Sequence, residues 1–216
     1  MKLRVALSVL LFVLVGCASN PTGANRDISG SSSNNVEEKI DVYLLPLDDF
    51  PYEFANNLAK RLSEDLKIRV KASLNLGTAD LKPYPDSQQY PAEAILAKGK
   101  EVAANLPLTD SATTYILLTR RDINSGDRSL RFNFAYGEPM SRMMVLSTAR
   151  LAASLRNNEM GHRIFWDRTY KMTKRQIGSA YFGYQRSTNI KDLMYSPIMS
   201  LEDVDRIGSE FLEQTK

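Results

Sequence analysis

The chain has 216 residues, 43% of them hydrophobic, which is enough for a sizeable core, and a formal net charge of +3. It has one cysteine, Cys17, which excludes an intramolecular disulfide, and one histidine, His162, which excludes a centre built from a cluster of imidazoles. Two of the positive charges, Lys2 and Arg4, lie in the first four residues, so the charge balance gives no reason to expect nucleic acid as a partner.

Residues 1–16 read as a secretory signal: a short basic start, then an apolar run from 5 to 15 that is too short to span a bilayer. The run ends in Leu14, Val15, Gly16 and Cys17, which looks like a bacterial lipobox, in which the thiol takes a diacylglycerol and the chain is cut just before it. One acyl chain anchors marginally and several hold firmly, so Cys17 is the expected lipid attachment and the membrane an expected partner. Ala18, in the second mature position, favours sorting to the outer membrane, facing the periplasm. Residues 17–38 are rich in Ser, Asn, Gly and Thr. They read as a tether, because they bury too little apolar area to offset their ordering entropy. Residues 39–216 read as a single domain.

Within the domain, 40–47 reads as a strand. Asp48, Asp49 and Pro51 then mark a helix start with a carboxylate cap. Phe54, Leu58, Leu62 and Leu66 recur every four residues, the pattern of an amphipathic helix. Alternation over 68–76 predicts a second strand, and Pro91 opens a helix through residue 104. Residues 113–119 are apolar and β-branched, as in a buried central strand. Leu130, Phe132, Phe134 and Tyr136 alternate with polar residues or alanine, which predicts a half-buried strand at or near a sheet edge. Residues 143–147 form another strand, and helices are expected over 167–184 and 201–213.

Several segments, in order, resemble the archaemetzincin family of zinc peptidases. Ile116 to Thr119 with Asp122 resembles its central strand and acidic turn. Phe134-Ala135-Tyr136-Gly137-Glu138 is similar to its Phe-Gly-Glu segment, and Val145 to Leu151 to its Val-Ser-x-x-Arg-Leu strand end. Leu193-Met194-Tyr195 resembles the Met-turn, and Ser200 to Arg206 the Ser-Leu-Glu-Asp-x-Asp-Arg helix start. The resemblance implies a mixed α/β (α+β) metzincin-like fold: a twisted sheet of about five strands with an antiparallel edge strand, packed by three to four helices.

The family carries H-E-x-x-H-x-x-G-x-x-H between those matches, with two histidines on one helix face gripping zinc and a glutamate as general base. The register here places Arg175, Ser179 and Gln185 at the histidines and Gln176 at the glutamate. Arginine cannot ligate, and glutamine cannot accept a proton as glutamate does. His162 reads as a solvated loop residue. Glu202, Asp203 and Asp205 read as helix capping rather than a calcium site. Lys171, Lys174 and Arg175 read as a solvated helix face.

These observations lead to the expectation of a protein that is not an enzyme: a pseudo-metallopeptidase with no cofactor or metal. It is expected to serve as a peptide-binding or scaffolding lipoprotein of the bacterial cell envelope, its partner an envelope protein or extended peptide. The expected binding surface is the edge strand with Phe132, Phe134, Tyr136 and Glu138, beside a cleft holding Tyr181, Tyr184 and Tyr195. Two alternatives stand beside it: a zinc metalloprotease with unusual ligands, and a purely structural outer-membrane lipoprotein.

Overall fold

The computed structural model describes residues 38–137 and 142–212. Cys17, the segments expected to be a signal and a tether up to residue 37, and Glu138 lie outside the described residues.

Strand β1 (Val42–Pro46) is buried at every position. Helix α1 (Tyr52–Leu66) follows, then the short β2 (Val70–Ala72). Strand β3 (Tyr90–Pro91) leads directly into α2 (Ala92–Ala103). Next come β4 (Thr114–Thr119), β5 (Ile123–Asn124), β6 (Ala135–Gly137) and β7 (Met143–Ser147). Helices α3 (Glu159–Ala180) and α4 (Leu201–Arg206) complete the order. The main sheet runs β2-β1-β4-β7-β6. Its first four strands are parallel, and β6 is the antiparallel edge. The fold is the expected mixed α/β sheet of five strands with four helices.

Strand alternation divides the core into two layers. Val42, Leu44, Ile116 and Leu118 point to the side covered by α1 and α3, where they meet Leu58, Leu62, Met172 and Ile177. Tyr43, Leu45, Leu117 and Val145 point to the other side and pack on Ile95 and Leu96 of α2. The central strands are therefore apolar without a break, as strands covered on both faces must be.

The local differences from the sequence reading have specific causes. Asp48 and Asp49 do not cap α1, whose N-cap is Pro51 without a side-chain bond. Asp48 instead accepts from Thr78 N at 3.1 Å, and Asp49 accepts from Thr119 Oγ1 at 2.9 Å and Arg120 N at 2.7 Å, tying strand ends together. Of the strand expected over 130–136, the ladder holds only β6. The apolar alternation before it arises from Phe132 packing edge-on to Phe134, with centroids 5.0 Å apart, beneath the guanidinium of Arg150. Helix α3 starts eight residues before the expected point. Asn158 caps it by accepting from Gly161 N at 2.9 Å, so His162 sits in its first turn, exposed and bonded to Asn157. The expected solvated face of α3 is in fact interior: Lys171, Lys174 and Arg175 are all buried.

Candidate functional site

Helix α3 ends at Ala180, where Tyr181 is the C-cap, and the chain turns at Gly183 with φ of 73°. Tyr184 N donates to Gly178 O at 2.9 Å, which closes the turn. Gly178 itself allows a close approach. A β-carbon there would stand 3.0 Å from Met194 Sδ and 2.6 Å from the Phe211 ring. The Met194 turn is thereby seated against the helix. Asp192 Oδ1 holds it by accepting from Met194 N at 2.8 Å.

The last turns of α3 and the Met194 turn form one side of a cleft of about 520 Å³, and residues 130–137 form the other. Arg175 and Ser179, four apart, share the face that lines it, and Gln176 joins them. Met172 and Met194 contribute apolar surface, and Ile198 and Met199 extend it. Phe132, Phe134 and Tyr136 line the opposite wall.

The β6 wall offers backbone as well as side chains. Ser147 N donates to Phe134 O at 2.8 Å. Antiparallel bonding alternates, so the neighbouring Ala135 turns its N–H and C=O away from β7, toward the open edge.

Two expectations are corrected here. Tyr181, Tyr184 and Tyr195 do not line the cleft. Tyr181 donates to Asp41 Oδ1 at 3.0 Å, and Tyr184 stacks on Phe182 at 5.0 Å and meets Phe211 at 4.9 Å, so this aromatic group packs behind the helix end. Gln185 is exposed and lies outside the cleft. The position is taken by Arg186. The turning glycine is Gly183, and the motif places its third ligand three residues beyond its glycine. Spacing counted from Arg175 is short by one. Asp203 caps α4 by completing a capping box with Ser200, whereas Asp205 pairs with Arg168.

The electrostatics of the cleft are one-sided. Arg131, Arg175 and Arg186 line it, and among the described residues no carboxylate does. Arg175 Nη1 donates to Leu193 O at 2.7 Å, and Arg186 Nη1 donates to Ser196 Oγ at 3.0 Å. Burial, and then the charge of Arg186, lower the Arg175 pKa to about 10, against the pull of Asp192. The group remains charged at neutral pH. Arg186, Met172, Ile198 and Met199 escaped the sequence reading; only the position of Gly183 carried a signal for Arg186.

Comparison with known proteins agrees with this geometry at the level of fold. No protein-family model matches the chain, and neither does any curated protein. Among solved structures it is similar to a zinc-dependent peptidase from Methanocorpusculum labreanum, with a TM-score of 0.64 at 21% identity over 79% of this chain and 95% of that one. It is also similar to the archaemetzincin of Archaeoglobus fulgidus complexed with malonate, with a TM-score of 0.60 at 22% identity over 79% and 94%. For the archaemetzincin of Methanopyrus kandleri the TM-score is 0.61 at 22% identity over 80% and 89%. The sheet, the helix beneath it and the Met-turn define a metzincin-type fold. Within that class, the chain has the archaemetzincin fold.

That result corrects one expectation. The sequence leads to a protein that is not an enzyme, with a zinc metalloprotease as an alternative; the solved structures that share the fold are a zinc-dependent peptidase and two archaemetzincins, so that expectation does not stand. The residues at the motif positions do not fit zinc: Arg175, Ser179 and Arg186 offer two cations and a hydroxyl in place of imidazoles. Among the described residues no group of three His, Cys, Asp or Glu could hold a metal ion.

Proposed function

We propose that the protein is a lipid-anchored envelope protein that binds extended polypeptide in the cleft between β6 and α3. The observation that carries this reading is the outer edge of the sheet at Ala135 of β6, which has no partner strand among the described residues and runs along a cleft with apolar walls. An extended chain adds to such an edge by main-chain hydrogen bonds and places alternate side chains in the pockets beside it. Anchoring rests on the Leu14-Val15-Gly16-Cys17 motif, with the lipid on Cys17 and the tether to residue 38 setting the distance from the outer membrane.

Ala135→Pro removes the outward N–H of β6 and leaves its apolar neighbours in place. The full chain, held in mild detergent, is mixed with a casein digest, and the bound peptides are identified by mass spectrometry. The wild-type chain is expected to enrich extended apolar peptides, and the folded Ala135→Pro variant is expected to lose them. Equal enrichment by both defeats edge docking. No enrichment by either leaves a purely structural lipoprotein as the better account. Cys17→Ala is expected to abolish acyl labelling and detergent partition, and unchanged labelling would overturn the anchor.

The fold neighbours favour a second reading, a peptidase. The same peptide mixtures test it: new peptide termini that appear with the wild-type chain, and vanish with Ala135→Pro, would establish cleavage at this cleft.

A further inference from the structure

Among the described residues the cleft is lined by cations and by no carboxylate. Arg175 is 8% exposed, yet its one hydrogen bond among the described residues is the one to Leu193 O. Arg186 holds to the same turn three residues on, at Ser196. A guanidinium has five N–H donors in a planar fork, and Leu193 O occupies one nitrogen of Arg175. None of its remaining nitrogens is sealed from the surface without a partner, so the unfilled part of the fork opens on the cleft that Arg175 lines. The side chains around it are neutral: Gln176, Ser179, Asn133 and methionines. Asp192, whose charge reaches Arg175, already accepts from Met194 N. A buried guanidinium with a second cation, the exposed Arg186, close enough to lower its pKa is a costly arrangement that an incoming anion relieves.

We infer that Arg175 and Arg186 hold a carboxylate of the peptide bound in this cleft. The inference rests on the peptide-binding reading above and adds the chemistry of the ligand. The two guanidinium groups stand where the motif would place a divalent cation, so positive charge is kept at that point and is supplied by side chains. A planar carboxylate accepts two parallel N–H bonds from such a fork, which fixes its direction as well as its charge. Because the ligand runs along β6, the carboxylate arrives on the peptide, as its C-terminus or as an Asp or Glu side chain.

Three acetylated hexapeptides of one apolar sequence separate these sources: one with a free C-terminal carboxylate, one amidated, and one amidated with glutamate at the fourth position. Each is titrated into the full chain in mild detergent by calorimetry. One of the two acidic peptides is expected to bind roughly tenfold more tightly than the amidated neutral one, and that gain should shrink as salt rises. Whichever acidic peptide gains identifies the source. Arg186→Gln, on an exposed residue, is expected to erase most of the gain with the fold intact. Arg175→Gln should do the same if it folds. Lys60→Gln, an equal charge change on α1, should leave it unchanged. If all three peptides bind equally, the carboxylate inference falls and the peptide reading stands. A gain that survives Arg186→Gln also overturns it. If none of the three binds, both fall together.

Discussion

Helix α3 and the turn that follows it carry two sets of buried or cleft-lining cations, and they are treated in opposite ways. Toward its middle each cation is matched. Arg168 makes two bonds of 2.7 Å to the Asp205 carboxylate and a third to Leu151 O. Lys174, 1% exposed, sits 2.7 Å from Asp65 and 2.9 Å from Glu210, with the Tyr170 and Phe211 rings beside it. Lys171 lies 3.2 Å from Asp167 and donates to carbonyls at the end of α4. At the cleft end, Arg175 and Arg186 have a carbonyl and a hydroxyl. Matched cations fasten α1, α4 and the segment around Glu210 to α3. The unmatched pair fastens little, and its charge is left facing a cavity. The same residue types thus serve as fasteners at one end of the helix and as a recognition surface at the other.

The sharpest test removes a fastener. Lys174→Met keeps the volume and deletes the charge, which strands the part-buried Asp65 while the exposed Glu210 stays solvated; the loss should cost about 3 kcal/mol in urea unfolding, the low end for a buried pair. A cost below about 1 kcal/mol would mean that the matched set is decorative. Next in size is packing beneath the cleft. Ile177 is fully buried against the sheet, and Ile177→Ala should cost about 2–4 kcal/mol.

Acid should find the matched set as well. Burial raises the Asp65 pKa, but bonds from Lys174 and Tyr170, with the charges of Lys174 and Arg61, outweigh it, and the net shift is downward. Asp205 is lowered chiefly by its bond to Arg168. Both groups are depressed on folding. Their contribution is therefore fully present above the ordinary aspartate value of about 4 and is lost as pH falls through their lower folded values. The thermal midpoint is expected to drop steeply below about pH 4, and a Lys174→Met chain should show a shallower drop. An identical acid profile in both chains would separate Asp65 from the acid response.

How much of this was legible in the sequence depends on the kind of signal. The central strands were, because β1, β4 and β7 are unbroken apolar runs and strands buried on both faces admit little else. The capping box at Ser200 and Asp203 was legible from its spacing alone. The burial of Lys171 and Lys174 was not. Their partners Asp65, Glu210 and the α4 carbonyls lie 33 to 109 residues away or more in sequence terms than helix periodicity can reach, and a local window reads a run of cations as solvated. The cleft was half legible. Arg175 and Ser179 follow from helical spacing. The third position was missed by one residue, because it is set by where the chain turns left-handed, and Gly183 rather than a count from Arg175 decides that. The tyrosines were assigned to the cleft by proximity in sequence, but the turn at Gly183 carries Tyr184 to Phe211, and Tyr181, at the helix end before that turn, bonds to Asp41 instead.

The smallest expected effect bears most directly on the comparison. Arg186→Gln removes a cation whose one bond is to Ser196 Oγ and whose charge opposes that of its neighbour Arg175. If the cleft end of α3 fastens nothing, the substitution should change unfolding stability by no more than about 0.5 kcal/mol in either direction, as surface changes away from special features do. A slight gain is the expected sign, because a like charge beside a desolvated guanidinium is relieved. The effect should fade at high salt, where the repulsion is screened. A loss comparable to that of Lys174→Met would place Arg186 among the fasteners and remove the reason for reading the two sets differently. A near-zero change together with lost affinity for an acidic peptide would assign the residue to the ligand rather than to the fold.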